Sequence, residues 1–481
     1  MIEARDLRAM VAVDLGAESC RVSLLRWRGD EPEIAMVHRI ANGPVQEGEH
    51  LYWPLDLILA GVEEGLRKAA DAAPEGIRSI AVDGWAVDYV RLGRDGKPVA
   101  APFCYRDERT LAAKIAADML VSPDAFFAQT GAQPLRINTA YHLVADMQAK
   151  LDPHMLWMLL PEYVLHWLGG RRVAEYTNAT HTGLVDLKTG NWSRDLFEKL
   201  GLMLEAAPQI VPTGSRLGKL RGELASLPAF ADTELIAPAC HDTASAIAAI
   251  AGGMERTAYI VSGTWSLVGT VVERPINSNE ARLAGFTNQG AAAGGYCFHS
   301  NVNGMWLVKQ CLDQWCGEGR VIDIPTLIAG ASEIYSIPGV IDVDAPDLLL
   351  AGEMPARINV ELQRKGFEPI ADLPGNEAIF ARVIFASLAR RYAEVLRNLE
   401  SLCGRRFERI TILGGGSRNV LLRRLTEEST GLPVVIGEAE GSTLGNFAVQ
   451  LAAFEDGDEA GPGFAKRVRT WAARLAHRQP N

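Results

Sequence analysis

The stretch that decides the fold is VAVDLGAESCRVSLLRW, residues 11–27. Apolar residues run up to Asp14, a turn of small residues around Gly16 follows, and a second apolar run returns from Arg21 to Trp27. This pattern predicts a β-hairpin over 10–14 and 21–27. A P-loop would instead open from a strand into a helix through GxxxxGK(S/T), a motif missing from the chain. The same design returns at 258–274 as AYIVSGTWSLVGTVVER. Either one unit has been duplicated into two related domains that face each other, or two ordinary hairpins share a pattern. The duplicated reading divides the chain into 1–243 and 244–481. That division falls in IAPACHDTASAIAAIAGG (236–253), which passes from strand to a helix of small residues.

Outward from the first hairpin, apolar residues at helical spacing predict an amphipathic helix over 55–72. Strands follow over 78–83 and 87–92, the second ending at the turn GRDGK, and the mixture points to α/β architecture. Near the other end, a long helix covers 379–402. RITILGGGSRN (409–419) then gives a strand, three glycines and the start of a helix over 419–429. Residues 464–479 form a basic amphipathic helix, destined either for a membrane surface or for packing against a domain.

With 481 residues the chain exceeds what one hydrophobic core usually organises, so two or more domains are expected. A net charge of −11 argues against a broad nucleic-acid-binding face. No stretch reaches the apolar length of a membrane span, and the charged start runs directly into a strand. The seven cysteines are scattered without a CxxC pair, so reduced thiols in a cytoplasmic protein are expected, with no zinc site.

Chemistry gathers at turns. Asp14 ends a buried strand, where one carboxylate together with phosphate oxygens suits magnesium, and Arg21 adds positive charge. The alternative is a tight hairpin capped by an aspartate. Ser262–Ser266 offers hydroxyls and backbone amides with little bulk, and Gly414–Gly416 allows close backbone approach to a flat or anionic ligand. Asp242 follows an apolar strand and opens a small-residue helix. It reads either as a base accepting a hydroxyl proton or as a helix N-cap. His241 beside it is either a substrate contact or a structural histidine.

Taken in order, VAVDLGAESCRV, SIAVDGWAVDYV, PFCYRDERT, CHDTASA, VSGTWSLVG, NVNGMW, LGGGSRN and GSTLGNFAVQ resemble the FGGY carbohydrate kinases, in particular their rhamnulokinase branch. The resemblance spans residues 11–450. It implies two actin-like (ribonuclease H-like) ATPase domains flanking a deep cleft, with ATP and magnesium as cofactors and a small ketose as substrate. Asp242 would be the catalytic base and Asp14 the magnesium ligand. Ala17, Glu18, Ser19, Cys20 and Arg21 would meet the phosphates, Thr264 and Lys309 the nucleotide, and Gly415 the adenosine. Asp83, Ala86, His241, Thr243 and Asn301 would contact the sugar. Four residues depart from the family pattern: Glu18 adds charge and Cys20 bulk to the phosphate turn, Ala86 adds a methyl to the sugar side, and Lys309 stands in place of a glutamine.

The resemblance implies phosphorylation of L-rhamnulose at O1, or of a related ketohexose such as L-fuculose or D-tagatose, by a cytoplasmic monomer or homodimer binding neither nucleic acid nor membrane. A non-catalytic actin-like ATPase switch is the competing reading. Such a switch has no use for the polar groups of YRDERT, HDT and NGMW.

Overall fold

The computed structural model describes residues 6–250, 254–292, 294–438, 440–455 and 461–476. The first hairpin forms as β1 (Ala9–Leu15) and β2 (Ser19–Arg28), followed by β3 (Glu31–Ala41). Helix α1 (Leu55–Ala72) leads to β4 (Ile77–Gly84), and β5 (Arg216–Lys219) and β6 (Glu234–Ile236) complete a sheet ordered β5-β6-β4-β1-β2-β3. Within it β1–β2–β3 is an antiparallel meander, whereas β4 runs parallel to both β1 and β6.

Helix α2 (Asp242–Ala248) leads to the second half. There β7 (Thr257–Ser262), β8 (Trp265–Val272), β9 (Phe286–Gly290), β10 (Tyr296–Asn303), β11 (Arg409–Leu413) and β12 (Val434–Ile436) form a sheet ordered β9-β10-β8-β7-β11-β12. The pairing repeats the first half: β7–β8–β10 is antiparallel, and β11 runs parallel to β7 and β12. The two hairpins read in the sequence are therefore the same unit used twice.

Helices α3 (Trp306–Gly317), α4 (Glu377–Cys403) and α5 (Val420–Thr430) belong to the second half. The last two, α6 (Gly441–Ala453) and α7 (Pro462–Ala476), return to the first sheet. Strand period explains how. Val11, Val13 and Leu15 point into one core with α1, while Met10 and Ala12 point the other way, into a cluster with Phe447, Phe464, Val468, Ala472 and Leu475. The C-terminal amphipathic helix thus packs against a domain through its apolar face, and residues 477–479 of that predicted helix lie outside the described residues. No disulfide joins the seven cysteines. Among the described residues, no helix is long and apolar enough to cross a membrane.

Candidate active site

The alternation that buries Val13 and Leu15 against α1 turns Asp14 to the α6 face, and the parallel register sets Asp83 of β4 directly beside it. Helix α6 meets this face with Ser442, Asn446 and Gln450, spaced four apart on one stripe. Ser442 Oγ donates to Asp14 Oδ2 at 2.7 Å and Asn446 Nδ2 donates to Asp83 Oδ2 at 2.6 Å. Gln450 donates to the Val11 carbonyl at 3.0 Å and accepts from Ser79 at 2.6 Å. Their segment, GSTLGNFAVQ, is part of the resemblance read in the sequence, where these three residues have no assigned role. Their signal was a polar residue every fourth position in an otherwise apolar helix.

Asp242 completes the acidic group. A parallel bridge joins Gly84 to His241, with Gly84 N donating to the Cys240 carbonyl at 2.9 Å. His241 is the N-cap residue and Asp242 the first helical one, so the N-cap reading of Asp242 does not hold. Its Oδ1 accepts from Thr243 N at 2.5 Å and from Thr243 Oγ1 at 3.1 Å, and its side chain stays 33% exposed. His241 Nε2 lies 3.4 Å from the same oxygen.

Burial dominates the electrostatics. It pushes Asp14 up to about 6, with the negative charge of Asp242 adding to the rise and Arg21 and Ser442 opposing it. Burial also raises Asp242 to about 6 against the pull of Thr243 and Arg21, and lifts Asp83 well above the carboxylate range, helped by Asp14. Arg21 answers this charge, with Nη1 at 3.2 Å from Asp14 and 3.0 Å from Glu440. Asp83 is fully buried and, among the described residues, its Oδ1 has no partner, so it sits behind the cleft wall.

The first hairpin turn is held by Asn42, whose Nδ2 donates to the Gly16 carbonyl at 2.9 Å, and by Arg39, which donates to Ser19 Oγ. Ala17 is half-buried at its edge. Cys20 points into the core of the first half, where its bulk is taken up, and its Sγ donates to the Gly16 carbonyl at 3.9 Å. Glu18 is exposed and reaches across to Thr264, whose Oγ1 donates to Oε1 at 3.4 Å. The two clasps therefore face each other.

On the second sheet, a Cβ on Gly414 or Gly416 would collide with Ser262 at 2.6 and 2.0 Å, whereas one on Gly415 would meet nothing. The outer glycines allow close packing and the middle one leaves open space. Lys309, in the first turn of α3, is spent on Asp313 at 2.9 Å. Asn301 lies half-buried on β10. Ala86 is buried beside Val87, which holds a left-handed φ of 73°, strained for a β-branched residue. In YRDERT, Asp107 accepts from Leu51 N and Arg109 pairs with Asp146. Those two are structural, whereas Arg106 faces the other half, with its guanidinium 6.0 Å from the Trp306 ring.

Hard carboxylate oxygens, small-residue turns and the open space at Gly415 fit a magnesium–nucleotide complex. Among the described residues, no three His, Cys, Asp or Glu form a metal cage of their own. Magnesium held by one carboxylate and substrate phosphates needs none.

Two sheets of one topology around an acidic cleft define an α/β protein of the actin-like ATPase fold. The chain belongs to the FGGY family of carbohydrate kinases: residues 9–249 match its N-terminal domain and 258–454 its C-terminal domain. Solved structures share the fold at low identity. A ligand-bound xylulose kinase from Lactobacillus acidophilus is 17% identical with a TM-score of 0.77, covering 98% of this chain and 97% of that one. A gluconate kinase from the same organism is 17% identical with a TM-score of 0.74, over 98% and 97%. Plasmodium falciparum glycerol kinase with ADP is 14% identical with a TM-score of 0.75, over 97% and 92%.

Proposed function

We propose that this carbohydrate kinase transfers the γ-phosphate of ATP to a ketose hydroxyl, O1 of L-rhamnulose or a related ketohexose, with Asp242 as the base. The observation that carries the reading is the Asp14–Asp83–Asp242 group, set opposite a glycine and hydroxyl clasp on a repeated sheet. A carboxylate raised to about 6 remains ionised at neutral pH yet is more basic than a free aspartate, which suits it to take the hydroxyl proton. Thr243 orients it by holding one oxygen, leaving the other for substrate. Arg21 and the backbone of 17–21 face the phosphates, with Gly415 beside the adenosine. Asp14 would hold magnesium, which neutralises phosphate charge when bound. Closure of the halves excludes water and favours sugar over water as acceptor.

We divide the chain between 243 and 244, and take the enzyme to be a cytoplasmic monomer or homodimer. The test is coupled ADP release with ATP, magnesium and a panel of L-rhamnulose, L-fuculose, L-ribulose, D-xylulose and D-tagatose. Strong turnover with L-rhamnulose supports the full reading, and a preference for D-xylulose overturns the sugar assignment. ATP hydrolysis that no sugar stimulates favours the switch.

A further inference from the structure

Beside Asp242, where the two halves meet, buried polar side chains use only half of their hydrogen-bonding capacity. His181 packs on His241 with ring centroids 3.8 Å apart. Its Nδ1 accepts from Gln289 Nε2 at 2.9 Å, which sets the proton of the neutral ring on Nε2. Among the described residues that Nε2 has no partner, and neither has Gln289 Oε1. On the second half, His299 meets the Tyr259 hydroxyl through Nδ1 at 2.8 Å, and among the described residues its own Nε2 is unpartnered. His181 is 9% exposed and His299 1%. Buried polar atoms are nearly always paired, so three orphans in one cluster call for an occupant.

Burial holds all three rings neutral: His241 and His299 fall to about 3 and His181 lies well below its ordinary value. They therefore act as hydrogen-bonding groups without charge. His299 also shares a strand face with Asn301, two residues along β10.

We propose that His181, Gln289 and His299 form the wall that reads the secondary hydroxyls of the sugar, and that its occupant is a neutral polyol sugar rather than a sugar acid. The proposal rests on the kinase reading above. His181 Nε2–H offers a donor and Gln289 Oε1 an acceptor, the complement of a hydroxyl, which both accepts and donates. A carboxylate would need a cation, and this wall supplies none. His181 belongs to the first half and Gln289 and His299 to the second, so the sugar joins the two.

The experiment is calorimetric titration of the full-length protein with the ketose panel and with D-gluconate, beside steady-state kinetics and thermal melts. Wild type should bind a neutral ketose in preference to gluconate. Gln289→Leu should weaken that binding and raise the sugar KM by at least about tenfold. The ATP KM and the melt should stay where they are. His181→Phe should act in the same direction, and if it fails to fold Gln289→Leu still decides. Unchanged sugar affinity in Gln289→Leu overturns the proposal. So does preference for gluconate, or absence of sugar binding by wild type. Sugar binding without phosphoryl transfer, still weakened in Gln289→Leu, would sink the kinase reading and leave the wall standing.

Discussion

The two halves share a core of five strands in one order and differ in what they place at the ends of equivalent strands. In the first, Asp14 of β1 stands beside Asp83 of β4; in the second, the parallel pair ends at Val261 and Leu413. The first hairpin turn carries Glu18 and leads to Arg21, whereas the second carries Gly263 and Thr264. Topology therefore repeats, and the side chains carried on it differ. One wall holds carboxylates at an energetic cost, and the other offers hydroxyls and bare backbone. The comparison predicts that chemistry fails through the first half and nucleotide fit through the second.

The largest effect should follow removal of the proposed base, Asp242. Asp242→Asn is expected to lower kcat about a hundred- to ten-thousand-fold. Retained turnover would break the division of labour at once. In wild type, kcat/KM should fall about tenfold per pH unit below about 6, more steeply if Asp14 titrates alongside. The same carboxylate has a stability signature. Its folded pKa lies above the unfolded value of 3.8, so the stability present below that value is lost as pH rises through about 6. An uncharged amide at this position suffers no such loss. Asp242→Asn should therefore melt above wild type at pH 8 by about 1–2 kcal/mol, allowing for the water that reaches the side chain, and match it near pH 4.

The second half should break by geometry. Gly414 has φ +78°, and a Cβ there meets the Ser262 carbonyl oxygen at 2.6 Å. Gly414→Ala should cost about 1–3 kcal/mol in chemical denaturation, because backbone yields little. Gly415→Ala, whose Cβ meets nothing, should leave the melt unchanged. If that space takes the adenosine, the ATP KM rises about three- to tenfold while the sugar KM does not. Equal stability of the two variants would show that the triple glycine is not read by position.

Much of this was legible in the chain because periodicity is local. The hairpins, α1 over 55–72 and α4 follow from which residues are apolar and how they are spaced. What stayed hidden depends on packing between distant segments. Ser442, Asn446 and Gln450 gain meaning only when α6 lies across β1 and β4. The strand end of Asp83 was visible, but not that Asn446 seals it off. The polar groups of YRDERT stood out in the chain, but not that Asp107 and Arg109 are tied up by the Leu51 amide and Asp146. Gln289 and His181 lie far apart in the chain and meet only at the seam.

The smallest expected effect probes the one place where the two walls touch through a mismatched charge. Glu18 sets a carboxylate between the two hairpin turns, and Thr264 Oγ1 donates to it at 3.4 Å. An anionic ligand entering there must displace that contact and meets like charge as it does so. Glu18→Ala should lower the ATP KM about two- to fivefold, the scale of an exposed charge, with kcat unaltered. Because the side chain is solvated, salt should narrow the difference between variant and wild type. A raised KM would mean that Glu18 helps to order the turn, and that the acidic character of the first half extends into nucleotide binding itself.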